Sequence, residues 1–189
     1  MTLHFRRANG RSMVLSAALV LGALAPCWAQ GWKSFSPAGA GFSVSLPGTP
    51  KSERNVSKDE DGTQTTDQDY ELESASMLLK IGYQEHDAQF ARLINTSNLL
   101  DEVTQAALKA MGGAASRAKP RQITLDGFEG RDVSTKIAED GQQSTIRLRV
   151  FWAGRRLYMQ MAAFSDSATD KAGSSRFIDS LKLLKPQPK

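Results

Sequence analysis

Residues 123–164 run ITLDGFEGRDVSTKIAEDGQQSTIRLRVFWAGRRLYMQMAAF, and their punctuation decides the fold. Ile123 and Leu125 lead into Asp126-Gly127; Val133 and Ile137 then fall on one face of the next run, which ends at Asp140-Gly141. Ile146, Leu148, Val150 and Trp152 alternate after it, Ala153-Gly154 breaks the chain, and Leu157 to Phe164 follows. Alternation at period two marks strands with one buried face. Asp-Gly pairs between such strands mark tight hairpins, because glycine accepts positive φ and aspartate tolerates it. The spacing predicts an uninterrupted antiparallel meander.

The same pattern extends upstream. Phe42, Val44 and Leu46 alternate in a short strand stopped by Pro47-Gly48. Thr63–Leu72 is polar but strand-prone, and Met77, Leu79, Ile81 and Tyr83 alternate cleanly. Between Ser57 and Thr63, Asp61-Gly62 suits a tight turn. Two helices are expected. Asn98 can cap the first, with Asp101 and Glu102 in its first turn, Leu100, Val103, Ala107 and Met111 at helical spacing, and Gly112-Gly113 as its stop. The second starts at Ser167, with Asp170 three residues on, or nearer Ser174 if Gly173 interrupts it; it carries Phe177, Ile178 and Leu181. One loose turn fits His86–Leu93. The expected fold class is α+β: six or seven antiparallel strands, their apolar face covered by two main helices.

The first 29 residues stand apart. Arg6, Arg7 and Arg11 precede an apolar run from Met13 to Ala25, which is shorter than the roughly 20 residues a membrane-spanning helix needs. Cys27 and Ala29 then occupy the small-residue positions before a cut at Ala29/Gln30. This is the pattern of a secretory signal peptide, 1–29, leaving a single domain over 30–189 that is periplasmic or secreted. Leu24-Ala25 before Cys27 resembles a lipid-attachment signal, but Pro26 stands where such signals carry Gly or Ala. Arg6-Arg7 lacks the flanking residues of a twin-arginine signal.

Cleavage removes three of the 24 basic residues and the single cysteine, leaving 21 bases against 20 acids. The near-neutral remainder offers no basic field for nucleic acid. With no disulfide available, about 160 residues must be held by their core, which is long enough for that. The whole chain, 40% hydrophobic and 23% charged, excludes disordered, collagen-like and multi-span membrane classes.

Chemistry-bearing residues are sparse. His86 is the one histidine after the cut, and the bland expectation for it is a solvated residue at a strand end. One histidine without cysteine does not make a zinc site, and no Gly-x-Ser-x-Gly elbow exists. Asp59, Asp61 and Gly62 approach a calcium-loop spacing, but Ser57 and Gln68 replace its terminal acids; a charged hairpin turn is the simpler reading. Asp67, Asp69, Glu71 and Glu73 form a row on one strand face, ordinarily solvated, that a cation or basic partner could use. Arg147 and Arg149 share another face, with Arg155-Arg156 at the following turn, and fit either a phosphate or acidic-partner patch or a solvated sheet margin. Met159 and Met161 beside Leu157 fit flexible core filling or a greasy pocket. No catalytic, cofactor-binding or metal residue is assigned.

Four stretches in order carry a family likeness: Gly41-Phe42-Ser43-Val44 with Leu46-Pro47-Gly48-Thr49-Pro50, Leu125–Arg131, Gly154–Tyr158, and Arg176–Leu183. Together they resemble small exported bacterial domains with a PsbP-like α/β/α sandwich, most of unknown function. The resemblance implies a non-catalytic accessory or binding domain. It also implies structural roles: Gly48, Gly127 and Gly130 in turns, Phe42 and Phe177 in the core, Tyr158 on a strand. The expected function is protein–protein contact in the cell envelope, without cofactor. The alternative is a carrier of a small apolar ligand in a cavity lined by Met77, Leu79, Met159 and Met161. A hydrolase is disfavoured by the residue inventory.

Overall fold

A computed structural model describes residues 31–58, 64–139 and 142–184. The expected signal segment 1–29 with Cys27, the expected turn at Asp59–Gly62 and the one expected at Asp140-Gly141 lie outside the described residues. In chain order the strands are β1 (Lys33–Phe35), β2 (Phe42–Leu46), β3 (Lys51–Lys58), β4 (Gln64–Glu73) and β5 (Met77–Glu85). Helices α1 (Ala88–Leu93) and α2 (Thr96–Met111) follow, then a 3-10 turn at Ala115–Arg117. The chain continues through β6 (Arg121–Leu125), β7 (Phe128–Glu139), β8 (Gln142–Ala153), β9 (Arg156–Ser165), α3 (Ala168–Asp179) and β10 (Lys182–Leu183).

The fold is α+β. Seven antiparallel strands lie in the order β3-β4-β5-β9-β8-β7-β6, beside a small sheet ordered β1-β2-β10. The meander read at 123–164 is β6 to β9, and a second one, β3-β4-β5, joins it through the β5–β9 pair. The seven strands are not the seven expected. β2 leaves for the small sheet, and β3, exposed along its whole length and so without an alternating signal, takes a place at the edge.

Cover comes from both sides. α2 packs on β7 and β8; α3 packs on the other face, against β9, β5 and β2. Phe177 and Ile178 of α3 are buried with Phe42, Val44, Leu46, Met77, Leu79 and Ile81 in one core. Leu99, Leu100 and Leu108 of α2 are buried with Leu148, Val150 and Trp152 in a second core. The expectation of two helices on one apolar face therefore fails, because the end of β8 is apolar on both: Leu148, Val150 and Trp152 point to α2, and Phe151 and Ala153 to α3, on the side where Arg147 and Arg149 precede them.

Local chemistry adjusts several bounds. Asn95, not Asn98, caps α2, its side chain accepting from the Asn98 N–H, so the helix starts earlier and Asp101 and Glu102 fall beyond its first turn. Its buried stripe centres on Leu100, Thr104 and Leu108, with Val103, Ala107 and Met111 at the margin. The Thr104 hydroxyl donates to the Leu100 carbonyl at 2.6 Å, which satisfies a polar group at full burial. Ser167 caps α3 as expected, accepting from the Asp170 N–H, and the helix runs on through Gly173. A loose turn at 86–93 is the short helix α1, capped by Asp87.

Asp126 and Gly127 both have positive φ, 52° and 87°, the backbone a type I′ hairpin needs. Gly130 serves no turn. It lies within β7, where a Cβ would collide with the Phe151 ring and sit 2.6 Å from the Val150 carbonyl oxygen, so close packing of the neighbouring strand requires glycine there.

Candidate functional site

His86 ends up in a different environment from the one expected. It follows β5, and its ring stacks on Phe90 at 4.4 Å and lies 5.7 Å from Trp152. Burial lowers its pKa below the usual 6.5, against the opposing pull of Asp67 and Asp87. Its Nε2 is buried with no hydrogen-bond partner among the described residues. The imidazole is thus an apolar-type plug between α1 and β8, and no serine hydroxyl among the described residues is bonded to it.

A serine–carboxylate cluster does occur, but it is a helix cap. Ser76 and Ser165 donate to the Asp170 carboxylate at 3.1 and 2.5 Å. Burial pushes that carboxyl up, and the hydroxyls of Ser165, Ser167 and Ser76 outweigh it, so it titrates below the ordinary value. With no base beside them, these serines hold α3 to the β5–β9 end.

The acidic row is real and half of it is paired. Asp67, Asp69 and Glu71 stand opposite Gln84, Gly82 and Lys80 on the α2-facing side of the sheet. Lys80 meets Asp69 at 2.9 Å, and the Gln84 amide donates to Asp67 at 2.9 Å. From β3, Lys51 and Glu53 stand opposite Glu71 and Asp69. This side of β3–β5 is a ladder of five acids and two lysines, while α2 makes its main contacts on β7 and β8.

The arginines divide into three roles. Arg156 grips Glu85 through Nε and Nη2 at 2.9 and 2.7 Å, donates to the Gly39 carbonyl, and lies 4.4 Å over the Tyr83 ring. Arg155 holds the other oxygen of Glu85, at 2.7 Å. Arg149 passes under the C-terminal end of α3, donating to the Ile178 carbonyl at 2.9 Å and meeting Asp179 at 3.3 Å, a cation where the helix dipole favours one. Its Nε faces the buried Asp132 at 3.6 Å.

Arg147 is different: among the described residues it meets no carboxylate. It lines a depression of about 350 Å³ with Lys119, Arg121, Asp132 and Ser134. Arg121 crosses to Asp132 at 2.5 Å. Of the two arginines read together, one therefore serves the core and the other opens a basic groove at the β6–β8 corner.

Arg131 was not expected to matter. Only 6% of its side chain is exposed, and it donates to Asp101 at 2.6 Å, to Glu129 at 3.0 Å, and to the hydroxyl and carbonyl of Ser97. Hydrogen bonds from Arg131 hold both carboxyls below their ordinary range, against some desolvation. It ties the start of α2 to β7. The signal was present as a charged residue at an inward position of an alternating strand, opposite Val150.

The methionines do not line one cavity. Met77 and Leu79 belong to the core under α3, whereas Met159 and Met161 pack against the core under α2, on the other side of the sheet. A second depression, of about 180 Å³, lies between β1 and the Pro47-Gly48 turn and is partly polar. No group of three or more metal-type ligands occurs among the described residues, and none of their helices is long and apolar enough to cross a membrane.

No protein-family model matches the chain, and no curated protein does. Among solved structures, one from Bacteroides thetaiotaomicron is similar at 16% identity over 85% of this chain, with a TM-score of 0.46. The chain spans 51% of that protein's length. A Pseudomonas aeruginosa protein of unknown function is 11% identical over 84% of this chain and 99% of its own, at a TM-score of 0.39. LpqN of Mycobacterium tuberculosis, involved in cell envelope biogenesis, is 11% identical over 71% of this chain and 85% of its own, at 0.40.

Proposed function

We propose that this chain is an exported, non-catalytic accessory or binding domain of the cell envelope, which presents the α2-facing side of β3–β5 to another protein. One observation carries the reading: the sheet is covered unequally. Its α3-facing side is packed from Tyr70 to Phe128, apart from the groove at the β6–β8 corner. The β3–β5 part of the opposite side instead displays Glu53, Asp67, Asp69, Glu71 and Glu73 with Lys51 and Lys80. A partner bearing lysines or arginines complements that excess of acid, and charge complementarity chiefly sets specificity and the rate of encounter. The basic, apolar and small-residue order of residues 1–29 supports export, and the likeness to PsbP-like domains supports an accessory role. The carrier reading loses its support, because the four residues meant to line its cavity lie on opposite faces.

Photo-crosslinking in cells tests the proposal. A photoreactive residue at Glu71 of the full chain should give one recurrent protein adduct in the envelope fraction, and the same residue at Lys171, exposed on α3, should not. Equal adducts from both positions, or none from Glu71, would overturn it. Mass spectrometry of the exported protein should find a mature N-terminus at Gln30 or within a residue or two of it. A diacylglycerol-modified Cys27 there would contradict a soluble product.

A further inference from the structure

We propose that the groove at the β6–β8 corner, on the face opposite the acidic ladder, is a binding site for a phosphate-bearing anion. Lys119, Arg121 and Arg147 line it together with the Ser134 hydroxyl. Strand register explains why they converge. Ser134 stands directly opposite Arg147, and Arg121 opposite Asp132, so the two arginines occupy adjacent cross-strand rows on the α3-facing side.

One carboxylate also faces the groove, and it is already neutralised. Asp132 is 4% exposed and has Arg121 on one oxygen and Arg149 beside the other. Asp179 is drawn away to Arg149. Lys119 and Arg147 are left without an acid among the described residues, and Arg121 contacts Asp132 through one nitrogen while 75% of its side chain stays exposed.

The chemistry of these donors selects the ligand. Guanidinium groups match phosphate oxygens in planar, two-point fashion, an ammonium adds a mobile charge, and a serine hydroxyl donates once more. Asp132 holds Arg121 in place beforehand, which lowers the ordering cost of binding. The depression, about 350 Å³, is at the small end of ligand sites and admits a phosphate monoester or a lipid phosphate headgroup.

Calorimetry with inorganic phosphate and glycerol 3-phosphate, and flotation with phosphatidylglycerol against phosphatidylcholine vesicles, test the site on the protein exported from the full chain. Saturable binding with a dissociation constant of about 1 mM or below is expected. Arg147→Gln should weaken it at least tenfold, and Arg155→Gln, at a separate turn, should change it less than twofold. Arg147 makes no ion pair among the described residues, so a circular dichroism melt should find its variant as stable as the parent. Binding to soluble phosphates without vesicles identifies a free ligand; binding to phosphatidylglycerol vesicles, displaced by phosphate, identifies a headgroup. Absence of saturable binding to every probe would overturn the site, and so would equal losses in both variants. Crosslinking from Glu71 lies on the opposite face and is unaffected by either outcome.

Discussion

Strand β5 carries Met77, Leu79 and Ile81 to the α3-facing side of the sheet, where all three are buried, and Lys80, Gly82 and Gln84 to the other side. Two strands away, β8 buries Leu148, Val150 and Trp152 towards α2 and, at its end, Phe151 and Ala153 towards α3. The contrast follows from the connections. The crossover from β5 to β6 passes through α1 and α2 and covers the β7–β8 end of one face, while α3 and the small sheet cover the middle of the other. Strands with one apolar face need one cover, and the end of β8, apolar on both, needs two. The charged β3–β5 end of that face is left without a helix over it.

The largest test of this contrast is Phe177→Ala. Phe177 is fully buried beneath α3, and truncating a buried phenylalanine costs about 3–5 kcal/mol. An unchanged urea midpoint would show that α3 is docked otherwise. On the second face, Leu148→Ala should cost about 3 kcal/mol, while Met161→Ala, beside it but half-buried, should cost about 1 kcal/mol. Similar losses at the two positions would mean that the cover over β9 extends further than α2 reaches.

A smaller effect probes the cover near α1. The folded pKa of His86 lies below its unfolded value, so protonation favours the unfolded chain. Stability from the neutral ring is present above pH 6.5 and falls as the pH drops below it. The melting temperature should therefore decline between pH 7.5 and 5.5, and His86→Phe should flatten that decline. The carboxyls Asp101, Glu129 and Asp170, whose ordinary values are 3.8, 4.5 and 3.8, are held lower still, so the stability they add is present at neutral pH and is lost only in more acidic solution, as the pH falls below those values. A parent profile as flat as the variant's would place the imidazole in water. Smallest of all, Glu71→Lys on the open ladder should move stability by no more than about 0.5 kcal/mol while reducing capture of a basic partner. A larger destabilisation would show that the ladder is structural.

Much of the architecture was legible because local rules and tertiary packing agree. Alternation in 123–164, with Asp-Gly and Ala-Gly breaks, specifies hairpins through backbone conformations that few other residues adopt. The Ser167 cap and the Phe177-Ile178 face likewise mark α3 and its buried side. Strand β3 was illegible because an exposed edge strand needs no apolar period, and its ladder bonds come from backbone groups that every residue has.

Placement of the charged residues depended on the third dimension. By itself, the sequence determined an α+β chain of consecutive antiparallel hairpins with two amphipathic helices and a poor stock of catalytic groups. Only the tertiary structure decided that α2 and α3 take opposite faces, that Arg131 is sealed between Asp101 and Glu129, and that Arg149 serves α3 while Arg147 opens onto a groove. The physical reason is that periodicity specifies which side of its own strand a residue occupies. What lies above that side is set by chain crossings and by ion pairs between segments 30 residues apart, such as Arg131 with Asp101 and Arg149 with Asp179.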